Sequence, residues 1–126
     1  MNAIDHWSPL RALMREFFIN DVQRGVFLYV SPTKEAAQVA CKTAWDFIQA
    51  NERFAFLLDT DKRTIVNRET RGKLRFAASE IFELVGDNPP PLACNIDFAC
   101  VGDERRRVKF LFPHLHNNPV NAGALR

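Results

Sequence analysis

Residues 62–75 hold six basic side chains, Lys62, Arg63, Arg68, Arg71, Lys73 and Arg75, against a single acid, Glu69. Guanidinium and ammonium groups at this density recognise anions, through charge-assisted hydrogen bonds to phosphate or carboxylate oxygens. The spacing of Arg68, Arg71 and Arg75 is i, i+3 and i+7, which places them on one face if the segment is helical. Near the start of a helix they oppose the macrodipole, at about 0.3–1 kcal/mol each. Free N–H groups flanked by arginines at such a helix end suit a phosphate or an acidic protein surface. A second basic run, Arg105, Arg106 and Arg107, opens the apolar stretch that follows it. On an edge strand these charges guard against edge-to-edge pairing, or they extend the same anion-binding track.

Other reactive residues form weaker patterns. His114 and His116 are two apart and point to one side of an extended chain, with Cys94 as a conceivable third ligand. Two imidazoles make no metal site, and the expectation is strand-end histidines with no metal and no cofactor. Asp59 and Asp61 follow an apolar strand, where paired carboxylates hold Mg²⁺ in some enzymes. Lys62 and Arg63 follow at once, so a turn is the expected reading. No nucleophile with an orienting base is recognisable.

The elements that must position these groups are set by composition and pattern. Seventeen Lys and Arg against fifteen Asp and Glu give a net charge of +2, so the two basic runs leave the remainder of the chain acidic. The 47% apolar content suits one globular domain over residues 1–126, with 1–7 and 117–126 expected as loose termini. No apolar run approaches the ~20 residues of a membrane span, and the opening residues lack a signal-peptide pattern. Cys41, Cys94 and Cys100 are odd in number and lie in apolar segments, which points to reduced thiols in the cytoplasm.

Ser8-Pro9 reads as a helix start, followed by Leu10, Leu13, Met14, Phe17 and Phe18 on one stripe. VFLYV at 26–30 is the continuous apolar run of a central strand. Ser31-Pro32 starts a second helix to about Asn51, whose inner face of Ala37, Ala40, Cys41, Ala44 and Ile48 is small enough for close approach to a sheet. Residues 54–59 and 64–67 form a hairpin. A third helix is expected from Asn67 to about Val85, with Leu74, Ala77, Ala78, Ile81 and Val85 inward. Residues 92–100 and 107–112 alternate and should pair, with Phe98 opposite Val108, Ile96 opposite Phe110, Cys94 opposite Phe112 and Asp97 opposite Lys109.

This order predicts an α+β domain on a ferredoxin-like split βαβ plan, two helices on one face of an antiparallel sheet, plus an N-terminal amphipathic helix and an extra C-terminal strand. The strand Thr64-Ile65-Val66-Asn67 lacks the rings of a base-stacking platform. The expected function is that of a small cytosolic binding or accessory protein for an anionic partner, nucleic acid ahead of an acidic protein surface. Arg63, Arg68, Arg71, Lys73, Arg75, Arg105, Arg106 and Arg107 would carry it. Two alternatives stand beside it. One is a protein-interaction or inhibitor-like module using the first helix, which a homodimer anchored by Trp7 and Phe18 could also bury. The other is a metal-dependent nuclease using Asp59 and Asp61.

Overall fold

The computed structural model describes residues 6–20, 24–51, 53, 55–87, 90–113 and 115. Helix α1 (Ser8–Asn20) leads into β1 (Val26–Ser31), α2 (Lys34–Ala50) and a hairpin of β2 (Phe56–Asp59) and β3 (Thr64–Asn67). Strand β4 (Lys73–Ala78), the short helix α3 (Ile81–Leu84), β5 (Ala93–Ile96) and α4 (Gly102–Leu111) follow. The five strands form one mixed sheet in the order β2-β3-β4-β1-β5. β1 runs parallel to both of its neighbours, with Tyr29 level with Phe76 on one side and Asn95 on the other. β3 runs antiparallel to β2 and β4.

A strand flanked on both edges and covered on both faces must be apolar at every position, and VFLYV is. Its alternate side chains serve two cores. Phe27 and Tyr29 join Leu10, Leu13 and Phe17 of α1 and the small inner face of α2. Leu28 and Val30 join Leu84 of α3 and Val108 of α4 on the opposite face. In the first core Phe17 meets Phe27 and Phe56 at ring distances of 5.3 and 5.7 Å, and Phe18 stacks on Phe56 at 5.8 Å. The α1 stripe is thus buried within its own chain. Asn95 fixes that helix by donating Nδ2–H to the Pro9 carbonyl at 2.9 Å. Thr33 caps α2, accepting the Ala36 N–H on Oγ1. All three cysteines are free thiols in the cores.

The ferredoxin-like arrangement does not form. Helices cover both faces of a mixed sheet, and two regions adopt the secondary structure opposite to expectation. Residues 67–85 make a turn, β4 and one helical turn in place of a long third helix. Lys73-Leu74-Arg75-Phe76 alternates with period two, and pairing with β1 and β3 selects that period over the helical one. Residues 102–111 are helix α4, so the antiparallel pairing of 92–100 with 107–112 is absent, and β5 pairs with β1 instead. Glu104 accepts the Val101 N–H at the start of α4, and Asp103 and Glu104 complement the helix dipole there. Val108 and Phe112, four apart, are buried, whereas Phe110 is 83% exposed. Among the described residues no helix is long and apolar enough to cross a membrane.

Candidate anion-binding cleft

The turn between β3 and β4 is built by polar side chains. Asn67 Oδ1 accepts the Glu69 N–H at 2.9 Å, and Thr70 Oγ1 accepts the Gly72 N–H at 3.0 Å. The main chain closes the turn twice, from Arg71 N–H to the Asn67 carbonyl and from Asn67 N–H to the Gly72 carbonyl. The segment preceding β1 is laced to it. Arg24 donates its N–H to the Thr70 carbonyl at 2.9 Å, and Lys73 donates to the Gly25 carbonyl at 2.8 Å. Arg24 and Arg71 are therefore held side by side, both with left-handed backbone, at φ 62° and 65°.

Between them lies a cleft of about 360 Å³ lined by Arg24, Val26, Arg71 and Lys73. Val26 is its buried apolar floor, and the three cations are exposed. Among the described residues none of the three pairs with a carboxylate. Arg71 also borders a second hollow, about 410 Å³, with Leu57, Leu58, Asp59, Thr60 and Val66 on the open face of the hairpin.

The remaining basic residues are placed elsewhere. No helix carries Arg68, Arg71 and Arg75 together. Arg68 is exposed on the turn and donates its backbone N–H to the Ala55 carbonyl. Arg75, on β4, binds Asp87 Oδ2 through Nε and Nη2 at 3.1 and 2.7 Å, and the Glu83 carbonyl through Nη1 at 2.8 Å. Arg63 binds both oxygens of Glu83 through Nη2, at 2.8 and 3.0 Å. Burial alone would raise the Glu83 carboxyl, but the Ala78 N–H and the Arg63 guanidinium outweigh it and hold the group below its ordinary pKa. Arg105 reaches the carbonyls of Cys100 and Asp97, Arg106 pairs with Asp103, and Arg107 donates to the Ser79 carbonyl. These last three sit on α4, not on an edge strand.

Of the eight basic residues predicted, the cleft gathers Arg71 and Lys73 and adds Arg24. Arg24 is missed because Thr70, to which its backbone N–H donates, lies 46 positions away. Asn67, Thr70 and Gly72 are the signal for a turn where a helix start was expected. Asp59 accepts the Lys62 N–H at 3.1 Å, as a turn carboxylate does, and Asp61 is exposed. His114 and His116 lie outside the described residues. Among those described, no three potential metal ligands cluster. No protein-family model, curated protein or solved structure matches this chain.

Proposed function

We propose that the protein binds an anionic polymer, nucleic acid foremost, in the cytoplasm, and that the Arg24–Arg71–Lys73 cleft is where it does so. One observation carries the reading: three exposed cations line one cleft with no carboxylate partner among the described residues. Cations gathered without counter-ions repel one another, and an incoming anion relieves that repulsion. Two of the three also occupy left-handed backbone, a strain that collects at functional positions. A polymer fits better than a single ion because Arg71 is shared with the adjoining hollow, where Leu57 and Val66 offer apolar contact. The free thiols of the cores suit a reducing compartment.

Fluorescence anisotropy with labelled single- and double-stranded oligonucleotides, at about 50 and about 200 mM salt, tests this. Affinity should fall steeply with salt as phosphate contacts release counterions. The combined Arg24→Ala, Arg71→Ala and Lys73→Ala variant should lower the slope of log K against log salt by about 2–3, since each lost contact removes ~0.7–0.9. An unchanged slope in a folded variant would remove the cleft as the binding surface.

A further inference from the structure

The hollow that adjoins the cleft has a different chemistry, although Arg71 borders both. Its volume is about 410 Å³, and Leu57, Leu58, Asp59, Thr60 and Val66 complete its lining. Leu57 and Val66 face each other across the β2–β3 ladder, and Leu57 is 52% exposed. Asp59 lies two residues beyond Leu57 on β2, so its side chain shares that face. The cleft therefore gathers three cations over an apolar floor. In the hollow the charges of Arg71 and Asp59 cancel, and most of the remaining lining is hydrocarbon.

Asp59 Oδ1 accepts the Lys62 N–H at 3.1 Å, the bond that shapes the hairpin turn. That bond needs one acceptor oxygen, which asparagine would supply equally. The second oxygen, Oδ2, has no partner among the described residues and reaches solvent. Among those residues Asp59 is in no ion pair. A carboxylate beside a row of cations repels a phosphate backbone, so its place in this hollow suits a group that donates hydrogen bonds. A neutral, largely apolar hollow with one acceptor, next to a strongly positive cleft, has the chemistry of a base beside a phosphate.

We infer that the hollow reads an unpaired guanine of a single strand whose phosphates lie in the cleft, an inference that rests on the cleft binding nucleic acid. Guanine presents two adjacent donors on its Watson–Crick edge, N1–H and the N2 amino group. The carboxylate of Asp59 can accept both, because Oδ1 keeps a lone pair beyond the one that Lys62 uses. Adenine, cytosine and thymine each set a donor beside an acceptor that Asp59 repels. The flat face of the base rests on Leu57 and Val66, whose methyl groups supply the contact that aromatic rings supply in other single-strand grooves. Size permits it, because 410 Å³ at ~30 Å³ for each water-sized group exceeds the ~11 non-hydrogen atoms of a purine. Arg71 joins the two cavities, so one nucleotide can set its phosphate in the first and its base in the second. In a duplex this edge is hidden by pairing, which is why the strand is single.

The test is fluorescence anisotropy of the full chain with thymidine oligonucleotides of about eight nucleotides, either unmodified or carrying one central guanine or one central inosine. The guanine strand should bind at least about fivefold tighter than the all-thymine strand. Inosine lacks only the N2 amino group and should lose most of that preference, with the protein unaltered. Asp59→Asn keeps an acceptor for Lys62 but presents an amino group in place of Oδ2. It should bring the guanine and all-thymine strands within about twofold of each other. Should that variant unfold, the inosine strand decides alone. Equal binding of the guanine and thymine strands by the parent chain overturns the assignment and leaves the cleft standing, whereas binding of neither removes cleft and hollow together. A guanine preference that persists with inosine, or in folded Asp59→Asn, places the reading of the base elsewhere and overturns the assignment as well.

Discussion

Lys73 and Arg75 stand one pleat apart on the same face of β4, and the fold treats them oppositely. Arg75 lies where α3 and the segment after it cover the sheet, and its guanidinium ends on Asp87 and the Glu83 carbonyl with 19% of the side chain exposed. Lys73 lies where that cover stops, beside Arg24 and Arg71, and has no carboxylate partner among the described residues. The same contrast runs through the molecule. Arg63, Arg105 and Arg107 brace turns and helices from within, whereas the cleft cations face outward. A run of basic residues is therefore two populations. What separates them is whether a carboxylate or carbonyl is within reach under a covering element.

The contrast breaks most clearly on stability. Arg75→Ala leaves the Asp87 carboxylate, 13% exposed, and the Glu83 carbonyl without their donor. The expected loss is about 2–4 kcal/mol by urea unfolding, at the lower end for a pair that retains some solvent contact. Lys73→Ala should stay within about 0.5 kcal/mol of the parent, as surface substitutions do. Equal losses at the two positions would show that both lysine and arginine are structural, and the division into two populations would fail.

How much of this was readable beforehand follows from the range of the interactions. The stripe of α1, the small inner face of α2, the hairpin and the apolar run of β1 depend on local period, and each lies where the pattern put it. Residues 67–85 satisfy two periods at once. Leu74, Ala77, Ala78 and Ile81 fit a helix, while Lys73-Leu74-Arg75-Phe76 fits a strand, and alanine decides nothing. The parallel partner Val26–Ser31 settles it from 47 positions away. In 102–111 the even spacing of Val108, Phe110 and Phe112 masked the helical signs, acids in the first turn and Lys109 in the last. For the site, residue types were informative and placement was not. Residue type marks Arg71 and Lys73 as cations of the site, but their spacing puts them on a helix that the fold replaces by a turn and β4, and Arg24 enters only through the backbone bond to Thr70.

A smaller effect sharpens the structural side of the comparison. Glu83 receives the Ala78 N–H and the Arg63 guanidinium, which together with Lys34 overcome the penalty of burial and depress its pKa. A carboxyl whose folded pKa lies below the unfolded value, ~4.3, adds stability that is fully present above that value. That stability is lost as pH falls through the folded pKa. The urea midpoint should thus hold from neutral pH to about 5 and decline below about 4. Glu83→Gln should be less stable at neutral pH, and its curve should converge on the parent's in acid. Parallel curves would mean that the Glu83 charge contributes nothing to the brace.

The smallest effect is the most discriminating, because stability and binding should move in opposite directions. Arg71 sits at φ 65°, where a side chain costs about 1–2 kcal/mol and glycine costs little. Arg71→Gly removes this strain but adds freedom to the unfolded chain, which offsets ~0.4–1 kcal/mol, so the net gain should be about 0–1 kcal/mol. Arg71→Ala loses the same cation yet keeps the strained backbone, and should unfold about 1 kcal/mol more easily than the glycine variant. Both should weaken oligonucleotide binding equally, because binding depends on the guanidinium and stability on the Cβ. If glycine is less stable than alanine by the full ~0.4–1 kcal/mol of added unfolded-chain freedom, the left-handed arginine is an unstrained turn residue and its backbone says nothing about function. If glycine is more stable and binds worse, the chain keeps arginine there at the expense of its own stability, which is the mark of a side chain held outward for a partner.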